Sequence, residues 1–142
     1  MGDNITNSPL GSSIKRREDP ALMRGVGKYT DDLKVHDMLH AVMVRSPFGH
    51  AEINSIDTTA ALKSPGVVDV FTAADAERAG MPGLVPVGWL LPNLVTPEHP
   101  MLASTKVNHV GDAVAVVVAT DRYAAKDAAD LVEVDYLSLI HI

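Results

Sequence analysis

Residues 107–136 read VNHVGDAVAVVVATDRYAAKDAADLVEVDY, and the order of elements in this stretch sets the fold class. After the turn signal Gly111-Asp112, residues 113–119 form an uninterrupted apolar run whose four valines predict a strand buried on both faces. The run is too short to span a bilayer. Asp121 is placed to cap a helix in which Ala124, Ala128 and Leu131, flanked by Ala125, Ala129 and Val132, make one apolar stripe. Residues 132–136 then alternate valine and tyrosine with Glu133 and Asp135, the pattern of a half-buried strand.

Moving outward, the preceding segments repeat this alternation of strand and helix. An apolar run over 38–45 ends at Arg45, and Pro47 and Gly49 close it. Ile53 and Ile56 alternate imperfectly within 51–57, which predicts a second strand with a bulge or bend. Asp57 or Thr58 caps a short helix through Leu62, and Pro65-Gly66 stops it. Val67, Val68, Val70 and Phe71 predict a third strand, and Thr72 opens a helix over 73–78. Residues 81–100 carry five prolines, at 82, 86, 92, 97 and 100, and read as an extended connection anchored by Trp89, Leu90 and Leu91. Residues 101–110 return to a strand that feeds the valine run. At the other end, residues 1–13 read as a mobile polar arm, and Asp19-Pro20 as a cap and first-turn proline for a helical turn over 21–24.

Composition narrows the function classes. With 142 residues and 46% hydrophobic content, the chain has material for one core, built mainly from small and branched aliphatic side chains. A formal charge of −6 and only six aromatic residues argue against nucleic acid as a partner. No cysteine is present, which excludes disulfides, a thiol nucleophile and thiolate metal ligation within these residues. Neither a secretory leader nor an 18-residue apolar span occurs, so cytoplasmic residence without a membrane span is the expectation.

The chemistry-bearing residues do not assemble into a recognised motif. His36, His40, His50, His99, His109 and His141 lack ligand spacing, and His50 draws attention because it shares a polar turn with Arg45 and Ser46. Ser46 has no nucleophile elbow around it. Asp31-Asp32 and the Glu133/Asp135 pair fit capping and solvation as well as acid–base work. Arg45 suits either a strand-end salt bridge or a carboxylate or phosphate contact. Lys15, Arg16 and Arg17 form a basic cluster suited to solvent, a subunit face or an anion. Gly25 and Gly27 lack the strand and helix that a dinucleotide fingerprint requires, and no phosphate loop is present. Accordingly, no catalytic, cofactor-binding or metal-ligating residue is assigned within these residues.

Taken in order, several segments resemble the start of the molybdenum-binding large subunit of the xanthine dehydrogenase and aerobic carbon monoxide dehydrogenase family. They are IKRREDP at 14–20, GVGKYTDD at 25–32, VRSPFGHA at 44–51, SIDT at 55–58, PGVV at 65–68, and the whole of 106–136. PVGW at 86–89 resembles the carbon monoxide dehydrogenase-like branch, with Val87 where that branch commonly has cysteine. The resemblance implies an α+β class and an α/β hammerhead domain over 14–136, with a mixed β-sheet and packed helices. It includes the 81–100 connection and leaves 137–142 as a truncated or foreign tail. It also implies a structural N-terminal domain that is inactive alone and has no cofactor of its own. The complete enzyme would carry a molybdenum–pterin cofactor, oxidise a small substrate and pass electrons through iron–sulfur clusters, often to FAD. Implied partners are the remainder of the large subunit, iron–sulfur and flavin-binding subunits or domains, and a large-subunit dimer. A standalone α/β interaction domain without enzymatic activity is the alternative reading.

Overall fold

The structure, a computed structural model, describes residues 13–81, 83–85 and 99–140. The chain divides into two compact units, Met1–His36 and Asp37–Ile142. In the first, α1 (Asp19–Met23) is a single exposed turn followed by a 3₁₀ turn, Thr30–Asp32. The N-cap of α1 is Glu18 rather than the expected Asp19, because the Glu18 carbonyl already accepts from the backbone of Ala21 and Leu22. Asp19 then lies inside the first turn, where its charge faces the positive end of the peptide dipoles.

The second unit contains β1 (His40–Arg45), β2 (Ala51–Asp57), α2 (Thr59–Leu62), β3 (Val67–Thr72) and α3 (Ala73–Arg78). It continues with β4 (Lys106–Val107), β5 (Ala113–Ala119), α4 (Arg122–Ala129) and β6 (Glu133–Ser138). These strands make two three-stranded sheets, ordered β1-β5-β3 and β4-β2-β6. The expected α+β class holds, with one difference in the sheets. Where a mixed sheet is expected, every pairing among the described strands is antiparallel. The alternation of strands and helices suggests parallel crossovers, but α2 and α3 are only four and six residues long. Helices this short do not supply the crossover of a dozen or more residues that parallel neighbours need.

The valine run becomes β5, the central strand of its sheet, and it is buried on both sides. Ala115 and Val117 join Ala61, Val70 and Ala128 in one core, where α2 and α4 cover the sheet. Val114 points the other way into a second core with Ala51, Ala103 and Val107, backed by Ile53, Ile56 and Val134. The largest fully buried side chains are Val107, Val114 and Val117, so the core is aliphatic and small, as the composition predicts. Asp121 caps α4 as expected: its Oδ1 accepts from the backbone of Tyr123 at 2.8 Å and Ala124 at 3.0 Å.

The expected irregularity in β2 is a register shift between Ile53 and Ser55. The strand read over 101–110 shrinks to the two residues of β4, since only Val107 and Lys106 pair, opposite Ala51 and Glu52. β6 runs past residue 136 because Leu137 and Ser138, which the sequence reading puts in a tail, extend the ladder opposite Glu52 and Ala51. The anchor Trp89, Leu90 and Leu91 and the PVGW motif lie outside the described residues, as do His141 and most of the 1–13 arm.

Candidate functional site

Two features stand apart from plain scaffold: a polar junction of two turns, and an apolar hollow on one face of the β1-β5-β3 sheet.

The junction brings Arg45 and Ser46, at the end of β1, against residues 108–112, which lead into β5. Gly111 is the pivot. Its φ of +90° is a conformation that glycine adopts without side-chain cost, and it turns the Gly111 N–H onto the Ser46 carbonyl at 2.8 Å. The Ser46 N–H returns a bond to the Asp112 carbonyl at 2.8 Å, and Arg45 Nη1 donates to the Gly111 carbonyl at 2.8 Å. Of the ends read for Arg45 in the sequence, no salt bridge is formed among the described residues; the partner it has there is a main-chain oxygen. Ser46, only 2% exposed, accepts from the Phe48 N–H at 3.0 Å and donates to the Phe48 carbonyl at 3.2 Å. Its hydroxyl is therefore engaged in folding the turn.

Asp112 is buried at 8% exposure and accepts from the Asn108 N–H at 3.0 Å, with His109 Nδ1 at 3.6 Å. Phe48 lies against Tyr136 with ring centroids 5.1 Å apart, tilted by 53°. Burial pushes the Tyr136 phenol above its ordinary value; a bond with Ser46 opposes this and the nearby Asp112 charge adds to it. No buried side-chain polar atom is left without a partner among the described residues. Such a closed network fixes a backbone crossing.

The other candidates scatter. His50 is exposed, and its carbonyl accepts from Leu139 at 3.0 Å. His99 is exposed and its carbonyl accepts from Val85 at 2.7 Å. Asp32 caps its own turn through Tyr29 N–H at 3.0 Å, and Asp135 accepts from Asn54 across the β2–β6 ladder at 3.0 Å. Arg16 pairs loosely with Asp19 at 4.0 Å, and Lys15 and Arg17 are exposed. Among the described residues no three His, Asp or Glu side chains gather as metal ligands, and no helix is long and apolar enough to cross a membrane.

Sequence reasoning missed the hollow. Met43 of β1 pairs with Val116 of β5, which pairs with Phe71 of β3, so the three form a row across the sheet. Met81, Met101 and Leu102 wall the row into a cavity of about 660 Å³. At its rim, Asp75 accepts from the Thr72 hydroxyl and N–H, each at 2.7 Å, and pairs with Arg78. The Thr72 bonds hold the Asp75 carboxyl below its ordinary value, Arg78 adding to the effect. The sequence carries no signal for the hollow, because residues 40–45 and 67–72 are apolar runs in which the exposed phase of Met43 and Phe71 shows only in the folded strands.

Comparison with known proteins places this architecture. Residues 24–139 match the family model described as aldehyde oxidase and xanthine dehydrogenase, a/b hammerhead domain. The nicotine 6-hydroxylase large subunit of Paenarthrobacter nicotinovorans is 41% identical over 96% of this chain and 17% of its own length. The carbon monoxide dehydrogenase large chain of Afipia carboxidovorans is 43% identical over 89% of this chain and 15% of its own. Quinoline 2-oxidoreductase from Pseudomonas putida 86 superposes with a TM-score of 0.79 at 42% identity, over 91% of this chain and 16% of that one. The chain thus spans roughly a sixth of the length of these relatives.

Proposed function

This chain belongs to the aldehyde oxidase and xanthine dehydrogenase a/b hammerhead family, and from that membership we propose that it is the structural N-terminal domain of a molybdenum hydroxylase large subunit. The observation that carries the reading is the match over residues 24–139 to a domain whose relatives are about six times longer. The complete enzyme in this reading oxidises a small substrate at a molybdenum–pterin centre and passes electrons through iron–sulfur centres to an acceptor, often by way of flavin. It works in the cytoplasm. Its partners are the remainder of the large subunit, the iron–sulfur and flavin-binding subunits or domains, and a second large subunit.

The described residues do not fit the molybdenum–pterin group. They offer no ligand cluster, and the polar junction spends its donors and acceptors on itself. No reaction step is assigned to this chain through that group. The role supported by the residues is mechanical: Arg45, Ser46, Gly111 and Asp112 lock the crossing between the two sheets, and β5 ties both cores together.

The experiment is to extend the reading frame beyond codon 142 and purify the encoded subunit with its neighbours. Assays would use carbon monoxide, an aldehyde and an N-heterocycle, with an artificial electron acceptor. Substrate-dependent reduction by a molybdenum-loaded complex is expected. A stop codon directly after Ile142 in the native gene, with no adjoining catalytic coding region, would instead favour a standalone interaction domain.

A further inference from the structure

We infer that the N-terminal unit carries a binding site for a phosphorylated small molecule, in the hollow where the basic cluster at 15–17 meets the glycine loop at 25–28. The inference goes beyond the parent assignment and does not depend on it. In the sequence the basic cluster and the Gly25-Val26-Gly27 loop are separate features; the fold brings them together. α1 ends in a Schellman turn: the Gly25 N–H donates to the Leu22 carbonyl and the Val26 N–H to the Ala21 carbonyl, each at 3.0 Å. Gly25 takes a φ of +69° there, and Gly27 lies so close to Leu22 that a β-carbon would fall 2.5 Å from its Cδ2. The loop is thereby folded back along α1, which sets Lys28 and Tyr29 beside Arg16 and Arg17 around a hollow of about 830 Å³.

The lining selects the ligand. Arg16, Arg17 and Lys28 outnumber Glu18, the acidic residue in the same wall, and residues 13–28 hold five basic side chains against two acidic ones in a chain whose formal charge is −6. Among the described residues Arg17 and Lys28 have no carboxylate partner, and Arg16 has Asp19 at 4.0 Å. Like charges held around a concavity raise the local concentration of an anion. A singly charged carboxylate neutralises little of this excess, whereas two guanidinium forks and an ammonium fit the several oxygens of a phosphate or diphosphate. Ala21, Leu22 and Val26 form an apolar floor, and Tyr29, 66% exposed, offers its ring at the edge. These groups suit the planar or aliphatic body that carries the phosphate, so a nucleoside diphosphate matches both halves of the lining. The hollow has the size of a small-molecule site, which favours such a ligand over the acidic face of a protein.

The test is protection from chemical labelling in the native full-length product of the gene. Phenylglyoxal modifies arginine and an acylating reagent modifies lysine, and mass spectrometry reads each residue separately. ADP is expected to protect Arg16, Arg17 and Lys28 together, at a lower concentration than inorganic pyrophosphate does, and to leave Arg24 unprotected. Arg24 is the internal control, since it caps the same helix outside the hollow and donates to the Pro20 carbonyl at 2.8 Å. R17A, a change at an exposed side chain, should raise the ADP concentration that half-protects Lys28 about fivefold, through loss of one charge-assisted bond. Arginines that stay unlabelled without ligand, no protection by ADP, equal protection of Arg24, or stronger protection by a polyglutamate peptide would overturn the site.

Discussion

The two faces of the β1-β5-β3 sheet are made from the same three strands, yet only one is finished by the described residues. On the first, Ala115 and Val117 sit at zero exposure under α2 and α4. On the second, Val114 is sealed by the β4-β2-β6 sheet, but two residues along the strand Val116 opens onto the hollow beside Met43 and Phe71. Small side chains line the closed face because helices approach closely there. Larger and more pliable ones line the open face. The contrast teaches that burial in this chain follows what covers a position rather than how apolar its residue is.

Substitutions can break or sharpen that contrast. The largest effect is expected at Val117, where removing two methyl groups from a sealed core costs roughly 2–3 kcal/mol. V117A should lower the urea midpoint by the corresponding amount, while M43A on the open face should cost less than about 1 kcal/mol. Equal losses at the two positions would mean that the second face is closed as well. Next comes the helix that closes the first face. D121A removes the acceptor for Tyr123 and Ala124, and about 1 kcal/mol of stability should go with the cap. A protection loss confined to α4 in hydrogen exchange would locate the effect.

The smallest effect is a pH dependence at the rim of the open face. Asp75 has its carboxyl held below the ordinary value of 3.8 by Thr72 and Arg78. A group depressed in the folded state contributes stability that is present above the unfolded value and fades as pH falls through the folded one. D75N should therefore flatten the stability profile below about pH 4 and lower stability slightly near neutrality, read as urea midpoints at pH 7 and pH 3. An unchanged acid limb would remove the Thr72–Asp75–Arg78 arrangement from the account.

Much of the frame was legible in the sequence because it is written locally. The valine run, the Asp121 cap, the broken alternation of Ile53 and Ile56 and the Pro65-Gly66 stop each depend on residues within a few positions of one another. What failed was pairing at long range. The row of Met43, Val116 and Phe71 joins strands far apart in the chain, and no spacing rule within one segment announces it. Arg45 shows the same limit from the chemical side: residue type suggested a carboxylate or phosphate partner, and the fold supplied a carbonyl 66 positions away. Ser46 and Asp112 were visible as polar turn residues, but their near-complete burial follows from that same crossing.

The central claim is that these residues frame a molybdenum enzyme without holding its redox centre, and molybdenum stoichiometry tests it most directly. Purified residues 1–142, expressed in a host that makes the pterin cofactor, are expected to carry no molybdenum, whereas the complete subunit prepared alongside carries about one atom per chain. Stoichiometric molybdenum on residues 1–142 would contradict the account.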